Sequence, residues 1–161
     1  DELFALRSAG QDIVEAIKDI SHLHKNLDRY LISPNPSIKN EYAEIRAQLA
    51  SILQTLSIVR EQGEDSTAIL SLDDLQHEVR QRHQLLTGKA DKLIRNNQIT
   101  AEMATSLMND SHYAYEAANN LIEIGRLLFS TGDINLRHAE RSLALDEHEI
   151  NEALEASEEA S

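Results

Sequence analysis

Two short runs of oxygen-bearing side chains are the chain's best candidates for chemistry. Asp12, Glu15, Asp19 and His22 follow one another at steps of three and four, and so do His112, Glu116, Asn120 and Glu123. On a helix, such steps put successive residues on one face. Three carboxylates and an imidazole in line make Asp12, Glu15, Asp19 and His22 a candidate for weak binding of a divalent cation, because hard cations take oxygen ligands. Glu116, Asn120 and Glu123 form the matching candidate for a partner-binding or regulatory face. An ordinary solvated face, with Glu15 and Lys18 as a surface pair, is the simpler account of the first run.

No other pattern suggests catalysis. The chain has no Gly-rich phosphate loop, no His-Glu-x-x-His helix and no Ser, His and Asp set around a nucleophile turn, so we expect a protein that is not an enzyme. Asp19 with His22, and Asp74 with His77, place a carboxylate three residues before a His on two helices. A di-iron bundle needs Glu and ligands that face the core, whereas Asp19 and His22 fall opposite Ile13, Ile17 and Ile20 on the helical wheel. His24 falls on the apolar seam of the first helix and reads as a buried neutral imidazole. Tyr115 reads as core and Tyr113 as a flanking residue.

The elements that must carry these residues are helices. Only five Gly, two Pro and six aromatics stand among 161 residues, and the abundant Leu, Ile, Ala, Glu, Gln and Arg favour helix. In the first segment Leu3, Leu6, Gly10, Ile13, Ile17, Ile20, His24, Leu27 and Leu31 form an apolar stripe, widened by Ala9, Ala16, Leu23 and Tyr30. Ser33-Pro34-Asn35-Pro36 should end that helix. A second helix from about Ile38 carries Ile38, Tyr42, Ile45, Leu49, Ile52, Leu56 and Val59 in a seven-residue rhythm and stops at residues 63–66. Ser71 with Asp74 resembles an N-cap box for a third helix, whose stripe of Leu72, Leu75, Val79, Leu86 and Leu93 is interrupted by Arg82 and His83. Thr100 caps a fourth, with Ala104, Leu107, Met108, Ser111, Ala114, Tyr115, Ala118, Leu121, Ile122, Gly125, Leu128 and Phe129 on one face.

Short links between four long helices make an all-α, antiparallel helical bundle the economical fold. We expect it to span residues 1–139, followed by an acidic tail, 140–161, with eight acidic residues against one Arg, as a short helix or disordered end. The formal charge of -13 argues against nucleic acid or an anionic lipid surface as partner. No run approaches the roughly 18 to 20 apolar residues of a membrane span, so direct lipid insertion is not expected. The absence of Cys fits a reducing compartment. A start at Asp1 within a helix leads us to expect a piece of a longer polypeptide.

Sliding the first helix onto the fourth by 101 residues aligns Glu15 with Glu116, Ala16 with Ala117, Ile20 with Leu121, Lys25 with Arg126 and Leu27 with Leu128. The pair Glu15 and Asp19 then falls on Glu116 and Asn120. Three stretches, DIVEAIKDISHLHKNL at 12–27, EYAEIR at 41–46 and ITAEMATSLMND at 99–110, resemble the PhoU-like domains, and most of all those fused behind the membrane part of bacterial sodium-phosphate cotransporters. That resemblance implies a bundle of two related three-helix halves, of which this chain holds the last helix of one and all of the other. It implies a regulatory role on the cytoplasmic side of the bacterial inner membrane, with the transport domain of the same polypeptide as partner. It also implies a Glu, three residues, then an Asp in each half as metal ligands. Glu15 and Asp19 match one copy, while Asn120 stands where the second copy's Asp belongs, and a neutral amide is a weaker ligand for hard cations. A free-standing helical adaptor is the competing reading, and homo-oligomerisation is left open.

Overall fold

In the computed structural model, which describes residues 2–62 and 66–129, the chain forms four helices and, among the described residues, no strand. They are α1 (Glu2–Leu31), α2 (Pro36–Gln62), α3 (Ser66–Arg95) and α4 (Ala101–Phe129). The all-α antiparallel bundle expected from the sequence is what the helices build. The boundary at 139/140 and the acidic tail lie outside the described residues.

Local chemistry sets the helix ends. Asn35 caps α2: its Oδ1 accepts from the amides of Ser37 at 3.0 Å and Ile38 at 3.2 Å, and Pro36 occupies the first helical position. Thr100 caps α4 as expected, its Oγ1 accepting from the Met103 amide at 3.1 Å. At the end of α3, Asn97 takes the left-handed conformation at φ 53°. The amides of Asn97 and Gln98 then return to the carbonyls of Ile94 and Leu93, each at 2.9 Å, the paired closure that satisfies a helix's last carbonyls. The Ser71 to Asp74 pattern is not a start, because α3 already begins at Ser66 and Ser71 lies within its second turn.

Packing is centred on α4, which lies against each of the other three helices, whereas α1 and α3 do not meet. The seven-residue rhythm of α2 is borne out: Ile38, Tyr42, Ile45, Leu49, Ile52 and Val59 are all buried and Leu56 is half-buried. On α4, Gly125 permits a close approach, since a Cβ there would meet side-chain carbons of Leu56 and Leu72.

The stripe expected to bury α1 does so only in part: its flank of Ala9, Ala16, Leu23 and Tyr30 is buried and Ile20, Leu27 and Leu31 are half-buried against the core, but its N-terminal aliphatics are not. Ala5, Ala9, Ala16, Leu23 and Tyr30 are buried, while Leu3, Phe4, Leu6, Ile13, Val14 and Ile17 are exposed. Small residues at successive turns let α1 lie close to α4, and that approach rotates the larger aliphatics away. His24 turns outward with them and faces Asp28 at 3.5 Å, not the core.

Asn35 also ties the two turns at this end of the bundle, its Nδ2 donating to the Gln98 carbonyl at 2.8 Å. Asn35→Ala should cost about 1–2 kcal/mol in urea denaturation, through the lost cap and the lost tie. Asn35→Asp, which keeps the cap but not the amide donor, should retain part of that stability. Equal losses in both variants would show that the tie between turns dominates.

Candidate functional site

The two oxygen-rich runs border a single seam. Helices α1 and α4 run antiparallel, with Asn26 opposite Asp110, His22 stacked on Tyr113 at 4.7 Å between ring centres, and the charge of Glu123 acting on Asp12. Asp12, Asp19 and Asn26 are half-buried along the margin of α1, and Glu116, Asn120 and Glu123 along that of α4. The sequence reading placed these residues on outward stripes opposite the core. The rotation of α1 turns its stripe toward α4 instead.

Individual environments differ along the seam. Burial, and then the neighbouring Glu123 carboxylate, raise the pKa of Asp12 above its ordinary value. Glu15 is exposed and lies 3.3 Å from Lys18. Glu123 lies 3.5 Å from Arg126. Among the described residues no three of the His, Asp and Glu side chains are arranged to hold a metal ion, so Asp12, Glu15, Asp19 and His22 share a region without forming a coordination cluster. Asp74 and His77 are exposed on α3, which packs nowhere against α1, so the di-iron arrangement does not assemble.

A polar junction that the sequence reading did not single out lies deeper. Asp110, 3% exposed, accepts from Tyr42 Oη at 2.5 Å and from Asn26 Nδ2 at 2.8 Å, which joins α4 to α2 and α1. Tyr42 packs against Tyr30, with ring centres 4.7 Å apart, and the Arg29 guanidinium stands 5.0 Å from the Tyr30 ring centre. The signal was present as an Asp in line with Leu107, Ala114 and Ala117, an acid among small and apolar positions. Asn26, Tyr42 and Asp110 come one from each of the three stretches that carry the PhoU-like resemblance.

Other ion pairs brace the remaining seams. Buried Glu41 meets Lys89 at 2.7 Å, and Glu44 meets Arg82 at 2.8 Å and Lys89 at 3.4 Å, joining α2 to α3. Arg126, buried on α4, meets Asp73 at 2.5 Å and Gln76 at 2.8 Å on α3. The geometry is that of a framework bracing its helices and exposing acidic margins.

Burial raises the pKa of Asp110, against the opposing pull of its hydrogen bonds from Tyr42 and Asn26. A carboxyl whose folded pKa exceeds its unfolded value of 3.8 weakens the fold as it ionises, so its contribution falls as pH rises from that value through the folded pKa. The stability of Asp110→Asn relative to the unmodified chain should therefore improve across that interval in a series of urea titrations. The reverse trend would mean that the junction prefers the carboxylate. Asp110→Ala, which strands the Tyr42 hydroxyl and the Asn26 amide, should lose about 1–3 kcal/mol.

No family model matches the chain, and neither a curated protein nor a solved structure matches it.

Proposed function

We propose that the chain is a PhoU-like regulatory domain of a bacterial sodium-dependent phosphate cotransporter, acting from the cytoplasmic side of the inner membrane without chemistry of its own. The observation that carries this reading is the uncovered face of α1. Leu3 is 83% exposed, Phe4 74% and Ile17 60%, and Leu6, Ile13 and Val14 are exposed between them, a concentration of large apolar side chains on one helix that suits a partner surface.

The internal repeat says what such a face is for. The offset that aligns Glu15 with Glu116 places Leu3, Leu6, Ile13 and Ile17 on Ala104, Leu107, Ala114 and Ala118 of α4, all of them buried. It also places Ala9, Ala16 and Leu23 on Asp110, Ala117 and Ile124, which are buried as well. On this reading α1 and α4 are two copies of one element, packed antiparallel across their seam. On α4, the face next to the seam takes α2 and α3. On α1 the equivalent face is bare, as expected of the last helix of a three-helix half whose other two helices belong to the same polypeptide.

Regulation then needs no reaction. A ligand or partner that touches the acidic margins differently in two transporter states shifts the balance between them by its difference in affinity. Glu15 and Asp19, with Asp12 and His22, are the positions on α1 where such contact would fall, and Glu116, Asn120 and Glu123 those on α4. Divalent cations are one ligand class, held at the margin by these oxygen atoms with solvent filling the coordination shell. No described helix is long and apolar enough to cross a membrane, so the reading assigns transport itself to other segments of the polypeptide.

Fractionation of cells that make the protein naturally separates this reading from the free-standing adaptor. An antibody against residues 36–95 should detect a band well above 18.1 kDa that stays with membranes after an alkaline wash. A band of about the chain's own mass in the soluble fraction would sink the transporter reading and leave the bare face of α1 to a separate partner.

A further inference from the structure

A line of five rings runs from α1 across α4 to α3. His22 stacks on Tyr113, the Tyr113 ring lies 6.3 Å from His112, His112 lies 6.1 Å from His83, and His83 stacks on Tyr115 at 4.2 Å. Three of the chain's seven His residues stand in this line, and the two nearest each other, His83 and His112, come from different helices.

The environment of His83 is unusual for a surface imidazole. Its Nδ1 is sealed from solvent and has no hydrogen-bond partner, a condition that asks for an explanation wherever it occurs in a folded protein. His83 also lines a pocket of about 20 Å³ together with Ser111, Gln48, Arg82 and Tyr115, enough for one water-sized group. A metal-ligating imidazole needs this kind of arrangement. One nitrogen gives its lone pair to the ion, while the other carries the proton and turns to an acceptor, for which the pocket beside Ser111 has room for one water molecule.

We propose that His83 and His112 form a two-imidazole site for a late first-row transition-metal ion such as Zn²⁺ or Ni²⁺, with solvent completing the coordination shell. Metal–nitrogen bonds of about 2.0–2.1 Å separate the centres of two rings on one ion by about 5 Å at a tetrahedral angle. The 6.1 Å observed leaves the rings about 1 Å to close, and the exposed His112 is the partner with room to move. His83 supplies the fixed half of the site, because its stack on Tyr115 removes most of its freedom before any ion arrives. Imidazole ligands select a different class of ion from the carboxylate margins of α1 and α4, so this site stands independently of the regulatory reading. The chain's net charge of -13 raises the local concentration of any cation. Two protein ligands rather than three or four keep the affinity moderate, and the ion would pin α3 to α4 reversibly.

The test is isothermal titration of the intact chain with Zn²⁺ and Ni²⁺, with Mg²⁺ as the oxygen-preferring control. One ion should bind in the micromolar range, and His112→Gln, an exposed change checked for fold by circular dichroism, should weaken binding by more than about ten-fold. Nitrogen-15 chemical shifts of the His83 ring should move on addition of Zn²⁺ in the unmodified chain and stay in place in His112→Gln. Absence of Zn²⁺ and Ni²⁺ binding, or binding that His112→Gln leaves unchanged, would overturn the site.

Discussion

The carboxyl of Asp110 is the constraint around which the other helices are set. Its burial would be costly without donors, and the two it has come from different helices, Tyr42 on α2 and Asn26 on α1. Apolar packing alone permits many rotations of one helix about its axis, since one aliphatic side chain replaces another at little cost. A buried acid with two required partners permits few. Together with the close approach of Ala9 and Ala16, it holds α1 in the rotation in which Asp12, Asp19 and Asn26 border α4 while Leu3, Leu6 and Ile17 face outward. The bare apolar face and the paired acidic margins are therefore two results of one orientation.

How much of this was legible depended on how many neighbours each helix has. Helix α2 has three, so its strongest apolar line, from Ile38 to Val59, is also its buried line, and the seven-residue rhythm was sufficient. Helix α1 has two apolar lines, one of large aliphatics and one built around Ala9, Ala16, Leu23 and Tyr30. Hydrophobicity favours the first, but backbone proximity favours the second, because small residues admit a closer partner. Nothing inside α1 states which line meets α4, and His24 was misplaced for the same reason. The start of α3 was misread because a Ser followed three residues later by an acid occurs within helices as well as at their ends.

The candidate site was legible in position but not in direction. Glu15, Asp19, Glu116 and Asn120 lie on the expected helices at the expected spacing, yet whether a stripe faces solvent or a seam is decided by the neighbouring helix. The junction at Asp110 was harder still, because a lone acid in a helix reads as surface until its donors are known. His83 and Tyr115, which looked like an interruption of α3 and a core ring of α4, prove to be stacked partners.

The central place of α4 has a consequence for how the molecule comes into being. During synthesis α1, α2 and α3 emerge first, yet α1 does not touch α3, and α1 and α2 are held together in large part through α4. At about 5–20 residues per second, several seconds pass before α4 is available. Over that interval the nascent chain displays aliphatic side chains with no permanent place to put them. The apolar lines of α1, α2 and α3 thus gain the one helix that all three touch only when the last of the four has been made.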